Sequence, residues 1–241
     1  MKVEPPLRGR NLHAGVTWHR FILHLASGRV EDGHMADRGT AVTTVQELEE
    51  ILGVPQGAAA TKVRHTLHEL DREWLAAASL VFIGTADDHD NLDVSPKGDP
   101  AGFITVLDET TIAIPERPGN RRADGFRNIL RNPHVGLIAL VPGRGDTLRI
   151  NGRATLVRDA PFFDGMTVKG HRPLLALVVD IDEVFFHCSK AFLRSQAWEP
   201  ESWQPTAVSR RAVIANRLER PDEPVEVLDE YYGPSYAEKI Y

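Results

Sequence analysis

Between residues 80 and 187 the chain repeats one pattern: a short run rich in β-branched and aromatic residues, then a link of Asp, Gly, Asn or Pro. The runs fall at residues 80–85, 92–95, 103–107, 110–114, 134–141, 147–157 and 174–187. Links of hairpin length cannot carry a parallel crossover, which needs a dozen residues or more, so neighbouring strands must run antiparallel. The expected architecture is mainly β with capping helices: about six or seven antiparallel strands curled into a barrel.

Two helices are expected around that sheet. Over residues 61–78, Val63, Leu67, Leu70, Trp74 and Ala78 recur at three- and four-residue spacing with charged residues between them, which predicts an amphipathic helix lying on the sheet. The second helix is expected in GNRRADGFRNIL, residues 119–130, ending before Pro133. Its first turn would hold Arg121 and Arg122. Cations are unfavourable at a helix N-terminus, so this pair implies an anion close by.

The balance of charge says that such an anion site is local. The chain of 241 residues has a net charge of −6, which argues against a nucleic-acid partner bound through bulk positive charge. A hydrophobic content of 42% supports a single core, and no apolar run reaches the length of a membrane span. One cysteine, Cys188, excludes an internal disulfide framework and suits a reducing cytoplasm. The expected organisation is an extension over residues 1–43, a barrel domain over 44–205 and a helical tail over 206–241. Residues 1–40 show no sustained periodicity and combine many Arg, His and Gly residues with very few acidic ones, so residues 1–34 read as a disordered extension or as sequence ahead of the true start at Met35, with a genuine arm as the alternative.

Other motifs carry little chemistry. His65 and His68 lie three apart without the spacing or further ligands of a zinc site, and no metal is expected. His187 and Cys188 fit a half-buried strand end. Asp180 and Asp182 share one strand face, whereas a glycosidase pair needs two opposed walls. The glycines of PGRGD are turn residues, because no helix follows them. On the strand 147–157, Leu148, Ile150, Ala154 and Leu156 share one face and Arg149, Asn151, Arg153 and Thr155 the other; that polar face either lines a ligand or faces water.

The segments SPKGDPAGF (95–103), IPERPGNRRADGFRNILRNPHVGL (114–137), PGRGDTLRINGRA (142–154) and EVFFHCSKAFLRSQAW (183–198) together resemble the pyridoxamine phosphate oxidase-type FMN-binding split barrels, in the family's order and spacing, over residues 44–205. The resemblance implies an antiparallel split β-barrel that binds FMN between the subunits of a homodimer. It places the FMN phosphate on Ser95 and Lys97 and on Asn120, Arg121 and Arg122, which would supply the anion that the two arginines call for. It sets the backbone of Ile114 and Pro115 beside the isoalloxazine ring, although Pro115 has no amide hydrogen to offer. Arg149 matches a strand position that faces the flavin, and Lys190 and Trp198 match the stretch that reaches the partner's flavin.

The implied function is an FMN-dependent oxidoreductase acting on a small organic substrate. No catalytic residue is named, since the flavin carries the chemistry. The arginine and histidine pair of a true pyridoxamine phosphate oxidase has no clear counterpart. Alternatives on the same fold are a non-enzymatic flavin or haem carrier and a deazaflavin-dependent reductase.

Overall fold

The computed structural model describes residues 39–241, so the expectation for Met1 to His34 lies outside the described residues. The chain divides into two units, 1–54 and 55–241. In the first, helix α1 (Val45–Leu52) begins at Thr44, whose hydroxyl accepts the Glu47 N–H at 3.1 Å. It ends at Gly53, whose left-handed φ of 77° suits glycine.

The second unit holds α2 (Ala58–Thr61), α3 (Glu69–Ala77), β1 (Leu80–Ala86), β2 (Leu92–Gly98), β3 (Thr105–Val106), β4 (Thr111–Pro115), α4 (Asp124–Ile129), β5 (His134–Leu140), β6 (Thr147–Val157), β7 (Ala176–His187), α5 (Lys190–Ser195), α6 (Arg211–Leu218) and α7 (Val225–Tyr231). The seven strands form one sheet in the order β2-β1-β5-β6-β7-β4-β3, antiparallel at every pairing. No ladder joins the two edge strands β2 and β3 among the described residues, so the barrel is split rather than closed.

The strand runs form because alternate residues have a core to enter. Val81 and Ile83 of β1, Leu137 of β5, Leu148 and Ile150 of β6 and Val179 of β7 belong to one buried cluster with Ile112 and Ile114 of β4. That cluster takes in strands from both ends of the sheet, so the sheet wraps around it. Trp74 and Leu75 of α3 fill its end, and the Trp74 indole donates to the Ala139 carbonyl at 3.1 Å. A second cluster, Ala113, Phe163, Met166 and Ala176, covers the other face of β4 and β7. Burial on both faces explains the nearly unbroken apolar run at Ile112–Pro115.

Three local features differ from what the sequence pattern predicts. The helix expected over 61–78 is two short helices separated by residues 62–68. Arg64 is the cause: its backbone exchanges hydrogen bonds with Val184 at 3.0 and 2.8 Å, and its guanidinium pairs with the fully buried Asp71. His68 then caps α3 instead of lying within a helix, and Val63 and Leu70 are exposed. Strand β3 is only two residues long, because Phe103 and Ile104 enter the core ahead of it. In β6 the register shifts at Asn151 and Gly152. This bulge needs glycine, since a Cβ on Gly152 would stand 2.1 Å from the Asp180 carbonyl oxygen.

The β1–β2 hairpin is closed by Asp87, whose carboxylate accepts the side-chain amide of Asn91 and the backbone N–H groups of Asn91 and His89 at 2.8–2.9 Å. Edge strand β2 contains Pro96, which is tolerated there because an edge can spare a donor. No helix among the described residues is long and apolar enough to cross a membrane.

Candidate functional site

Strand β2 turns Asp93, Ser95 and Lys97 inward at every second position and leaves Leu92, Val94 and Pro96 exposed. Opposite them stand the end of β4, the loop that follows it and the start of α4. Between these walls lies a cleft of about 450 Å³ lined by Ser95, Lys97, Pro115, Asn120, Arg122 and Phe126, among others. Helix α4 is tied to β1 by Asn128, which donates to the Thr85 hydroxyl at 3.1 Å, and it closes on β2 because Gly125 carries no side chain. A Cβ there would come within 3.1 Å of an Asp93 carboxylate oxygen and 3.7 Å of the Ser95 hydroxyl.

The arginines do not lie in the first turn of the helix. Helix α4 starts at Asp124, an acidic residue of the ordinary kind for that position, and Arg121 and Arg122 precede it in the loop. Arg121 and Ala123 both take left-handed backbone, with φ of 61° and 51°, and the Arg122 N–H donates to the Asn120 side-chain oxygen at 3.0 Å. Arg122 stands at the rim of the cleft with its side chain 78% exposed, and it pairs there with Asp124. That hydrogen bond, together with the Coulombic pull of Asp124 and Asp93, raises the Arg122 pKa further above its ordinary value. Two left-handed residues without glycine store local strain next to the cleft, as binding loops often do.

The other polar groups are paired as well. Lys97 bonds Glu116, and its ammonium lies 4.6 Å from the centre of the Phe126 ring. Arg117 reaches Asp99 at 2.6 Å and donates to the carbonyls of Met166 and His171 at 2.6 and 3.2 Å. Asp99 also accepts the Tyr241 hydroxyl. This hydrogen bond to a carboxylate, aided by burial, raises the Tyr241 phenol above its usual pKa.

Of the ten residues expected at a cofactor site, Ser95, Lys97, Pro115, Asn120 and Arg122 meet in this cleft. Arg121 is exposed beside it and does not line it. Ile114 is fully buried in the core next to Pro115. Arg149 lies on the outer face of β6, over the Phe185 ring at 5.0 Å. Lys190 is exposed at the start of α5. Trp198 lines a second cleft of about 510 Å³ with Phe192, on which it stacks at 5.7 Å, and its indole donates to the Arg144 carbonyl at 2.8 Å.

The sequence reading missed Asp93, Asp99, Glu116, Arg117 and Asp124. Asp93 and Asp99 extend the two-residue alternation of Ser95 and Lys97, which could have found them. Glu116 and Arg117 stand in an irregular loop where no periodicity marks an inward face. Among the described residues, no three His, Cys, Asp or Glu side chains gather as metal ligands.

The profile of the pyridoxamine 5'-phosphate oxidase family matches residues 67–188, which include β1–β7 and every lining residue of the first cleft. No curated protein sequence matches the chain. Among solved structures, it is similar to HupZ of group A Streptococcus, with 14% identity over 50% of this chain and 93% of that one and a TM-score of 0.41. It is similar to a protein of Lactobacillus delbrueckii provisionally named pyridoxamine 5'-phosphate oxidase, with 26% identity over 52% and 98% and a TM-score of 0.40. A third is an FAD-binding protein of Mesorhizobium loti, with 18% identity over 52% and 96% and a TM-score of 0.35.

Proposed function

The chain belongs to the pyridoxamine 5'-phosphate oxidase family, and from that membership we propose that its first cleft holds FMN and that the protein is an FMN-dependent oxidoreductase acting on a small organic substrate. The observation that carries this reading is the meeting of a hydroxyl, an amide and two cations, from Ser95, Asn120, Lys97 and Arg122, in one cleft. Those four side chains are the donor set that a phosphate monoester requires, and Arg can grip two of its oxygens at once. The gap left at Gly125 lets the start of α4 close on Asp93 and Ser95, a space that any side chain would fill.

FMN, when bound, supplies the hydride or electron transfer. This chain's part is to bind, orient and shield. Lys97 and Arg122 hold the anion, Ser95 and Asn120 fix its rotation, and the Phe126 and Pro115 surfaces exclude water on one side. Arg149, Lys190 and Trp198 stand away from the cleft, and a second copy of the chain related by a two-fold axis would bring such residues to the cofactor; we therefore also propose a homodimer.

Titration of FMN and riboflavin tests the reading, because riboflavin has the ring without the phosphate. Lys97→Ala is expected to weaken FMN about tenfold to a hundredfold and Arg122→Ala about tenfold, with riboflavin little changed. Equal losses for both flavins would return these residues to a structural role. The absorption spectrum of the purified protein would tell a flavin from a haem or a deazaflavin.

A further inference from the structure

The first cleft is not a positive pocket. Three cations line it, Lys97, Arg117 and Arg122, but so do four carboxylates, Asp93, Asp99, Glu116 and Asp124. Each cation already has a carboxylate partner: Lys97 has Glu116, Arg117 has Asp99 and Arg122 has Asp124. An entering anion must displace a carboxylate or be repelled by it.

The three pairs differ in how readily they can open. The Asp99 side chain is 2% exposed and is held by both Arg117 and Tyr241, while the Arg117 side chain is 12% exposed and tied to two backbone carbonyls. That pair is built into the wall, and breaking it would strand a buried charge. Glu116 and Asp124 are different. Each is 33% exposed at its side chain and partnered only by other side chains, so each can turn to water and keep its hydration. Lys97 would stay in place after Glu116 left, because its ammonium also rests on Phe126.

We propose that Glu116 and Asp124 are exchangeable counter-ions: they neutralise Lys97 and Arg122 when no anion is present, and they give up both cations to the phosphate of FMN. No covalent bond changes; two carboxylates become hydrated and one dianion takes their places. Because one phosphate must repay two displaced carboxylates, the exchange selects for a doubly charged group and discriminates against ligands with one negative charge or none. This inference rests on the FMN reading above and names the residues that set its affinity.

The test is titration of FMN and riboflavin into the full chain and into Glu116→Gln, Asp124→Asn and Asp99→Asn, with a thermal melt of each. Glu116→Gln and Asp124→Asn are each expected to tighten FMN about two- to fivefold, the range an exposed ion pair can supply, with riboflavin unchanged. Asp99→Asn is expected to lower the melting temperature without any gain in FMN affinity. If FMN binds equally or more weakly in both of the first two variants while riboflavin is unchanged, the exchange is wrong and the FMN reading stands. Loss of both flavins in those variants would assign the carboxylates to the scaffold and likewise overturn the exchange. If the parent chain binds neither flavin, or binds the two equally, the phosphate reading itself fails and the exchange fails with it.

Discussion

At Gly152 an added methyl would sit 2.1 Å from a backbone oxygen of β7, an atom that cannot rotate away, so Gly152→Ala must push the two longest strands apart at the bulge. A loss of about 3 kcal/mol or more is expected in denaturant unfolding. Asp87 acts through charge. The Asn91 side-chain amide first, with the backbone N–H groups of Asn91 and His89, holds its carboxyl below the usual range. A carboxyl lowered in the folded state stabilises the fold above its unfolded value of about 4, and that contribution is lost as pH falls through the folded value. The destabilisation by Asp87→Ala should therefore be full at neutral pH and shrink in acid, as melting curves across pH would show. Tyr241 has the opposite sign. Its phenol is raised by Asp99, so its contribution is complete below about pH 10 and is lost as pH rises through the folded value. Melting curves of Tyr241→Phe and the parent chain should converge in strong alkali.

At the scale of elements, the strands were legible because β-branched runs bounded by turn residues have few other uses. Strand β6 matches its expected range of 147–157, and the other strands shift by at most a few residues. Helical periodicity misled where a backbone bond overrode it. Val63 and Leu70 fit the three- and four-residue rule, but Arg64 spends its amide and carbonyl on Val184, and the chain cannot also use them in a helix. Asp71→Ala should release this arrangement at a cost of about 2–3 kcal/mol, since it leaves Arg64 without its bidentate partner and the His68 amide without its acceptor. The arginines before α4 show a different limit. Nothing in GNRRADG announces that Arg121 and Ala123 take left-handed backbone, a conformation usually marked by glycine or asparagine, so the helix begins at Asp124, later than the pattern predicts. Of the residues lining the candidate cleft, Ser95 and Lys97 on β2 and Pro115, Asn120 and Arg122 on the facing wall were legible through the family resemblance, whereas Glu116 and Arg117 stand in irregular chain that no periodicity marks.

For the whole molecule, two expectations remain to be measured. A chain beginning at Met35 should melt and bind FMN like the full chain, and a clear loss of either on truncation would show that the preceding residues take part in the fold. Light scattering should report a dimer; a monomer that held FMN tightly would remove the proposed part played by Lys190 and Trp198 from a second copy. The open barrel itself has a further consequence. Among the described residues no strand pairs with the outer side of β2, which stands as an edge of the sheet, and β2 carries Leu92 and Val94 with 81% and 66% of their surface exposed. Such a strand is a template on which a misfolded neighbour could grow a fibril. Pro96 interrupts that template near its middle, so Pro96→Thr should melt almost unchanged yet shorten the lag before thioflavin-positive aggregates appear on prolonged incubation.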